Sequence, residues 1–188
     1  MSASFRVSAS FRAKSKGGDA RWCVFDTLLG ECGVVWTAAG VRALVLPEED
    51  IESLQQRLAS LGATPGEPPA AVDKLIGLVG RYCAGEPVDF GKVKLDLAGV
   101  AEFARAVYES TRAIPWGLTA TYGGIARDIG KPGSARAVGQ ALGRNPVAIV
   151  IPCHRVLAAS GLGGFSAAGG ARLKEKMLAL ELVRRPGL

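Results

Sequence analysis

The sequence predicts an α+β protein, with an antiparallel sheet and helices in its N-terminal part and a mostly helical C-terminal part. Three patterns carry that prediction. Residues 21 to 46 alternate β-branched and aromatic residues between turn signals, which is the period of strands. Residues 72 to 83 and 100 to 111 carry apolar residues at helical spacing. Two short helical patterns flank Gly130-Lys131-Pro132-Gly133, the spacing of a helix-turn-helix.

The first 18 residues hold no acid and repeat Ser2-Ala3-Ser4-Phe5-Arg6 as Ser8-Ala9-Ser10-Phe11-Arg12. Residues 1 to 20 are read as a flexible basic arm. The composition of an organelle transit peptide is present there, but the long amphipathic pattern is not. Strands follow at Trp22-Cys23-Val24-Phe25, Val34-Val35-Trp36-Thr37 and Ala43-Leu44-Val45-Leu46, with turns at Leu29-Gly30 and Ala39-Gly40. Pro47 and the acids Glu48, Glu49 and Asp50 open a helix to about Ser60, because acids favour the positive end of the helix dipole. Leu61 to Pro69 is a Gly- and Pro-rich loop. Val72, Leu75, Ile76, Val79 and Tyr82-Cys83 mark a second helix, ended by Gly85.

Residues 86 to 99 form a linker with strand character at Val93 to Leu97, so 21 to 85 read as an N-terminal domain and 100 to 188 as a C-terminal one. Val100, Phe103, Ala104, Val107, Tyr108 and Thr111 are the core face of a helix closed by Ile114-Pro115-Trp116-Gly117. Tyr122 to Ile129 has Thr121 as N-cap, and Ala135 to Gly143 is capped by Ser134. The apolar run Val147-Ala148-Ile149-Val150-Ile151 is expected as a buried strand leading into Pro152-Cys153-His154-Arg155-Val156. After the glycine-rich loop Ser160 to Ser166, a final helix from about Ala171 to Val183 carries Leu173, Met177, Leu180 and Glu181.

Composition narrows the function classes. No apolar stretch approaches the length that crosses a bilayer, so a membrane role is not expected. Residues 1 to 110 hold 12 Lys+Arg against 14 Asp+Glu, whereas residues 111 to 188 hold 11 against 3, a balance of +8. Around a helix-turn-helix pattern, such a surplus favours nucleic acid over a merely solvated surface. Cys23, Cys32, Cys83 and Cys153 form no Cys-x-x-Cys pair and the chain has a single histidine, so no metal site is expected. Cys23 and Cys32 stand where a hairpin would let them face each other; separate reduced thiols in a cytoplasmic protein are the preferred reading.

The chemistry centres on Cys153. A thiol becomes reactive where positive charge or a base favours its thiolate, and His154 and Arg155 supply both. Adjacent residues of a regular strand point to opposite faces, so contact between Cys153 and His154 requires a turn or a water.

Pro152-Cys153-His154-Arg155 stands behind Thr121-Tyr122-Gly123, Ala135-Arg136-Ala137-Val138-Gly139 and Arg144-Asn145-Pro146, in an order and spacing that resembles the O6-alkylguanine-DNA alkyltransferases. The likeness covers roughly residues 100 to 183. It is weaker in Phe25-Asp26-Thr27-Leu28-Leu29-Gly30 and Val34-Val35-Trp36-Thr37, where the family has a variable, ribonuclease H-like N-terminal domain. The resemblance implies a cytoplasmic, monomeric DNA repair protein that needs no cofactor. It would move an alkyl group from O6-alkylguanine, and from O4-alkylthymine as a second substrate, irreversibly onto Cys153. Its partner would be double-stranded DNA, entered through the minor groove with little regard to sequence.

Residue roles follow from the same resemblance. His154 would take the thiol proton through a water, Glu181 would orient His154, and Asn145 would brace the active-site turn. Tyr122, the Val156 carbonyl, Phe165 and Ser166 would bind the flipped base, with Ser166 donating to O6. Arg136 would fill the vacated place in the duplex, and Ser134, Ala135 and Arg144 would contact DNA. The residues alone leave plainer readings open: a surface glutamate, a packed tyrosine, ordinary Asn-Pro turn chemistry and an arginine on phosphate. Three departures stand out. Phe165 replaces a usual tyrosine, Ala167-Ala168 lengthen the lid, and Gly124 replaces a polar residue at a cost in helix propensity.

Three other classes compete. A lesion-binding protein that flips the base without transfer does not need Cys153. A cysteine hydrolase leaves the basic helix pair unexplained, and a plain helix-turn-helix regulator gives Pro152-Cys153-His154-Arg155 no task.

Overall fold

Alternation in the N-terminal part produces strands buried on both faces, in a computed structural model that describes residues 5–6 and 19–182. The rest of the expected basic arm and the end of the last helix after Leu182 lie outside the described residues. The main sheet contains β1 (Phe5–Arg6), β2 (Arg21–Thr27), β3 (Gly30–Thr37), β4 (Gly40–Val45) and β5 (Thr64–Pro65). β1 to β4 are antiparallel in chain order, while β5 runs parallel to β2 beside Arg21 and Trp22. Trp22, Val24, Val35 and Val45 pack on Leu54 and Leu58 of α1 (Ile51–Ser60). Cys23, Phe25, Val34 and Leu44 face the opposite way, toward α2 (Ala70–Cys83) and the C-terminal helices.

Both hairpins are tight, with Thr27 opposite Gly30 and Thr37 opposite Gly40. Gly40 has φ 143, and a Cβ there would lie 2.5 Å from the Lys94 carbonyl oxygen, so the linker's approach excludes a side chain. Cys23 is opposite Val34 and Cys32 opposite Phe25, and all four cysteines are free. The acids expected to open α1 lie just ahead of it, where Asp50 is the N-cap and accepts from Ser53 N at 2.7 Å.

Residues 86–99, expected as a linker, are tied down at both sides. Their strand character amounts to one parallel bridge, Val41 to Leu95. Asp96 accepts from Arg42 at 2.9 Å and Thr37 at 2.8 Å, and Arg112 of α3 (Glu102–Arg112) donates to the carbonyls of Phe90, Gly91 and Val93. Next come β6 (Ala120–Thr121), α4 (Tyr122–Asp128), α5 (Ala135–Gly143), β7 (Val156–Leu157) and α6 (Gly170–Leu182). Thr121 caps α4 as expected, accepting from Gly124 N at 3.0 Å. Ser134 occupies the N-cap position of α5 but does not cap it; its hydroxyl donates to Lys131 O at 2.5 Å and closes the turn instead.

The expected buried strand at Val147 to Ile151 is not a strand. Val147 makes one bridge to Leu44 on the edge of β4, and the chain then turns. The run is buried as predicted, and its apolar core belongs to one cluster extending from the sheet through α2 to Met177 of α6. Among the described residues, no helix is long and apolar enough to cross a membrane.

Candidate active site

Two tight turns deliver the thiol. Val150 N donates to Ala148 O at 2.8 Å around Ile149, whose φ of 69 makes this the strained, positive-φ form of the γ-turn. Cys153 N donates to Ile151 O at 2.8 Å around Pro152, with φ −79 and ψ 65, the relaxed mirror form. Cys153–Arg155 then make one 3-10 turn. A β-branched residue tolerates φ 69 only where its surroundings enforce it. Here the Leu44 bridge holds one end, and Asn145 clamps the loop by donating to Ile151 O at 2.7 Å and accepting from Val147 N at 3.0 Å.

The 3-10 turn sends His154 inward, where it is wholly buried. Its Nε2 lies 2.7 Å from Glu181 Oε1 and 3.0 Å from the Tyr82 hydroxyl. A carboxylate only accepts, so Nε2 carries the proton and Nδ1 presents a lone pair. Nδ1 is buried and has no hydrogen-bond partner among the described residues. Burial lowers the His154 pKa, partly offset by the hydrogen bond and charge of Glu181, so the imidazole is neutral at rest.

Glu181 is buried as well. Burial by itself would raise its pKa, but the partners His154 and Arg155 outweigh that and bring it to about 2. With the imidazole neutral, the permanent counter-charge is Arg155, whose Nε and Nη2 reach the carboxylate at 3.0 Å while Nη1 donates to Ile114 O at 2.6 Å. Gly117 N donates to the same carboxylate at 3.1 Å.

Cys153 keeps intermediate exposure. Burial of its sulfur pushes the thiol pKa up, while a hydrogen bond with Asn145 and the charge of Lys174 pull it part of the way back. Lys174 is itself buried, with no ion pair to a carboxylate among the described residues; its Nζ donates to Val156 O and Leu162 O at 2.7 Å and to Gly164 O at 3.3 Å. It therefore pins the glycine-rich loop across the thiol.

Two cavities meet at Cys153. One, of about 560 Å³, is lined by Tyr122, Ala135, Arg136, Gly139, Phe165 and Ser166. The other, of about 400 Å³, runs toward β4 and α1 past Arg42, Arg57, Arg144, Asn145, Ala167 and Ala168. The lid extension predicted at Ala167-Ala168 thus borders the thiol on the sheet side. A third cavity, of about 510 Å³, lies behind the loop against Phe90, Arg112 and Trp116, and Cys153 is not in its lining.

The structure thus gathers Cys153, His154, Asn145 and Glu181 at one loop and lines the adjoining cavity with Tyr122, Phe165, Ser166, Ala135 and Arg136. Arg136 is exposed at that mouth, whereas Arg144 borders the other cavity. Ser134 faces the turn through Lys131. Sequence reasoning missed Lys174 and Tyr82. Lys174 had a signal: it precedes Glu181 by seven residues, two helical turns, and with Met177 forms the buried stripe of α6. Leu173 and Leu180, named with Met177 and Glu181 on that helix, are only half-buried. Tyr82 had none, since its partners lie 72 and 99 residues away.

Comparison with known proteins gives a consistent set of likenesses. The family described as the DNA-binding domain of 6-O-methylguanine DNA methyltransferase matches residues 102–183. A methylated-DNA–protein-cysteine methyltransferase of Mycolicibacterium paratuberculosis is 49% identical over 121 residues, covering 64% of this chain and 71% of that protein. The crystal structure of the O6-methylguanine methyltransferase of Mycobacterium tuberculosis is similar with a TM-score of 0.72 at 37% identity, covering 90% of this chain and 95% of that one. The mycobacterial protein in complex with DNA gives a TM-score of 0.71 at 36% identity, over 89% of this chain and 95% of that one.

Proposed function

The chain belongs to the O6-methylguanine-DNA methyltransferase family, and from that premise we propose that Cys153 accepts the alkyl group with His154, Glu181 and Asn145 as its supporting residues. The protein is a DNA repair enzyme that removes the methyl group of O6-methylguanine by direct transfer to its own cysteine, one turnover per molecule. The observation that carries the residue assignment is a thiol at the meeting point of a base-sized cavity and a buried imidazole with a free Nδ1.

The alkyl carbon is a poor electrophile, so rate must come from alignment and electrostatics. The thiol proton passes through a water to His154 Nδ1, and the imidazolium is balanced by Glu181. Sulfur attacks the alkyl carbon in line, the S–C bond forms as the C–O6 bond breaks, and the electron pair goes to O6. Ser166 donates a hydrogen bond to that oxygen, and the guanine regains a proton from water. The product is a neutral thioether, a poor leaving group with no S–H left to ionise, so the transfer does not reverse and the sulfur cannot act again.

The target base must leave the stack, at a cost of about a few kcal/mol. Tyr122 and Phe165 hold it, and the Val156 carbonyl accepts from its amine. The helix pair α4–α5 acts as a helix-turn-helix whose Ser134, Ala135, Arg136 and Arg144 meet DNA from the minor groove, Arg136 filling the gap. Minor-groove edges carry little code, so binding is largely independent of sequence. The protein acts as a monomer in a reducing, cytoplasmic setting, in keeping with its four free thiols. Residues 21–85 form the N-terminal unit, 86–99 the link and 100–188 the alkyl-transfer unit. Three antiparallel strands, a helix and a strand parallel to the first support a ribonuclease H-like reading of the former.

Intact mass and peptide mapping after mixing with excess duplex bearing one O6-methylguanine test this. One methyl on Cys153, and none in Cys153→Ala, is expected. Retained lesion binding with an unmodified thiol would instead identify a protein that flips the base without transfer.

A further inference from the structure

Tyr82 reads in sequence as one more apolar position of α2, yet its hydroxyl reaches the innermost part of the site. We propose that Tyr82 is a positioning residue for alkyl transfer, its hydroxyl holding His154 in the tautomer that leaves Nδ1 free and stabilising the imidazolium formed when the thiol proton arrives. The proposal rests on His154 acting as the base.

The hydroxyl oxygen lies 3.0 Å from His154 Nε2 and 3.2 Å from Glu181 Oε1. Because the carboxylate only accepts, the hydroxyl hydrogen points to Oε1, and the oxygen turns its lone pairs toward Nε2–H. The O–H dipole therefore has its negative end at the imidazole and its positive end at the carboxylate, the orientation that favours an imidazolium–carboxylate pair. All three groups are buried, so no bulk water dilutes the effect. The ring cannot swing away, since Trp116 packs edge-on at 5.4 Å and Phe90 at 6.1 Å.

The charged and titratable groups around His154 come from each neighbouring element. Arg155 and Cys153 lie on its own turn, Lys174 and Glu181 on α6, and Tyr82 with the adjacent Cys83 on α2. Arg155 and Lys174 oppose a cation on the imidazole, and Glu181 favours it. An oriented neutral dipole shifts where His154 accepts a proton without adding another charge. A residue of α2 thereby takes part in chemistry whose acceptor and supporting residues, Asn145, Cys153, His154 and Glu181, all follow residue 140.

The test is Tyr82→Phe in the full chain, which keeps the ring packing and removes only the hydroxyl. Single-turnover transfer from an O6-methylguanine duplex is followed across neutral and alkaline pH. Because His154 is the only histidine, nitrogen-15 labelling of histidine reports its tautomer and protonation without overlap. The variant is expected to bind lesion duplex normally but to transfer about five- to tenfold more slowly at neutral pH, the scale of one buried hydrogen bond. The gap should narrow as pH rises and solvent takes over thiol deprotonation, and the imidazole should protonate at lower pH than in the unsubstituted protein. Unchanged rate and imidazole signals would overturn the proposal, and so would equal slowing at every pH with unchanged imidazole signals. If the unsubstituted protein leaves Cys153 unmethylated, the acceptor assignment itself fails, and that control separates the two failures.

Discussion

At Glu181 one buried carboxylate accepts from His154, Tyr82, both Nε and Nη2 of Arg155, and the backbone of Gly117. Removing its charge leaves Arg155 buried without an anion, and buried pairs broken on one side cost about 3–5 kcal/mol. Glu181→Gln should therefore lose stability on that scale in urea denaturation and slow transfer at least about tenfold, since the imidazolium loses its counter-ion. Lys174 acts differently, through three loop carbonyls and through the thiol. Its charge lowers the Cys153 pKa, so Lys174→Met should raise it. Iodoacetamide should then label Cys153 more slowly at neutral pH, and amide exchange over residues 157–164 should quicken. Unchanged labelling and exchange would remove Lys174 from the site.

Among the elements, the start of α4 and the glycine-rich loop meet at Tyr122. Thr121 caps α4, so Thr121→Ala should cost about 1 kcal/mol in thermal or urea unfolding. Two glycines of the loop separate strain from contact. Gly161 has φ 85 with open space around it, whereas Gly163 has φ 71 and a Cβ there would lie 2.9 Å from the Tyr122 ring. Alanine at either position pays about 1–2 kcal/mol for the left-handed backbone. Only Gly163→Ala should also weaken lesion binding, measured as the concentration of lesion duplex needed for half-maximal rate. Equal effects of both variants would mean that the Tyr122 contact is irrelevant to the base cavity.

For the molecule as a whole, acid stability follows from the same carboxylate. Glu181 ionises at about 2 in the fold against an ordinary 4.5, so its contribution is complete above about pH 4.5 and is lost as pH falls through 2. Urea midpoints should decline over that window, and Glu181→Gln should lack that part of the decline. The balance of +8 beyond residue 110 predicts that duplex affinity falls linearly with salt on logarithmic axes, with lesion and ordinary duplex sharing most of the slope. A salt-independent affinity would contradict a phosphate-dominated interface.

Local pattern sufficed for the strands of residues 21 to 45, for α1 to α6 within a few residues, and for the Thr121 cap, because periodicity and capping act over one or two turns of chain. The motif around Cys153 and its spacing from Tyr122, Arg136 and Asn145 likewise carried the resemblance to the family to which the chain belongs. The run Val147 to Ile151 misled, since five apolar residues look the same whether a strand or a pair of γ-turns buries them, and the Leu44 bridge and Asn145 clamp that decide it are not local. Tertiary structure alone placed Lys174 over the lid and Tyr82 beside His154. Both side chains are polar groups whose burial is acceptable only with partners distant in the chain, and one-dimensional spacing carries no record of which partners those are.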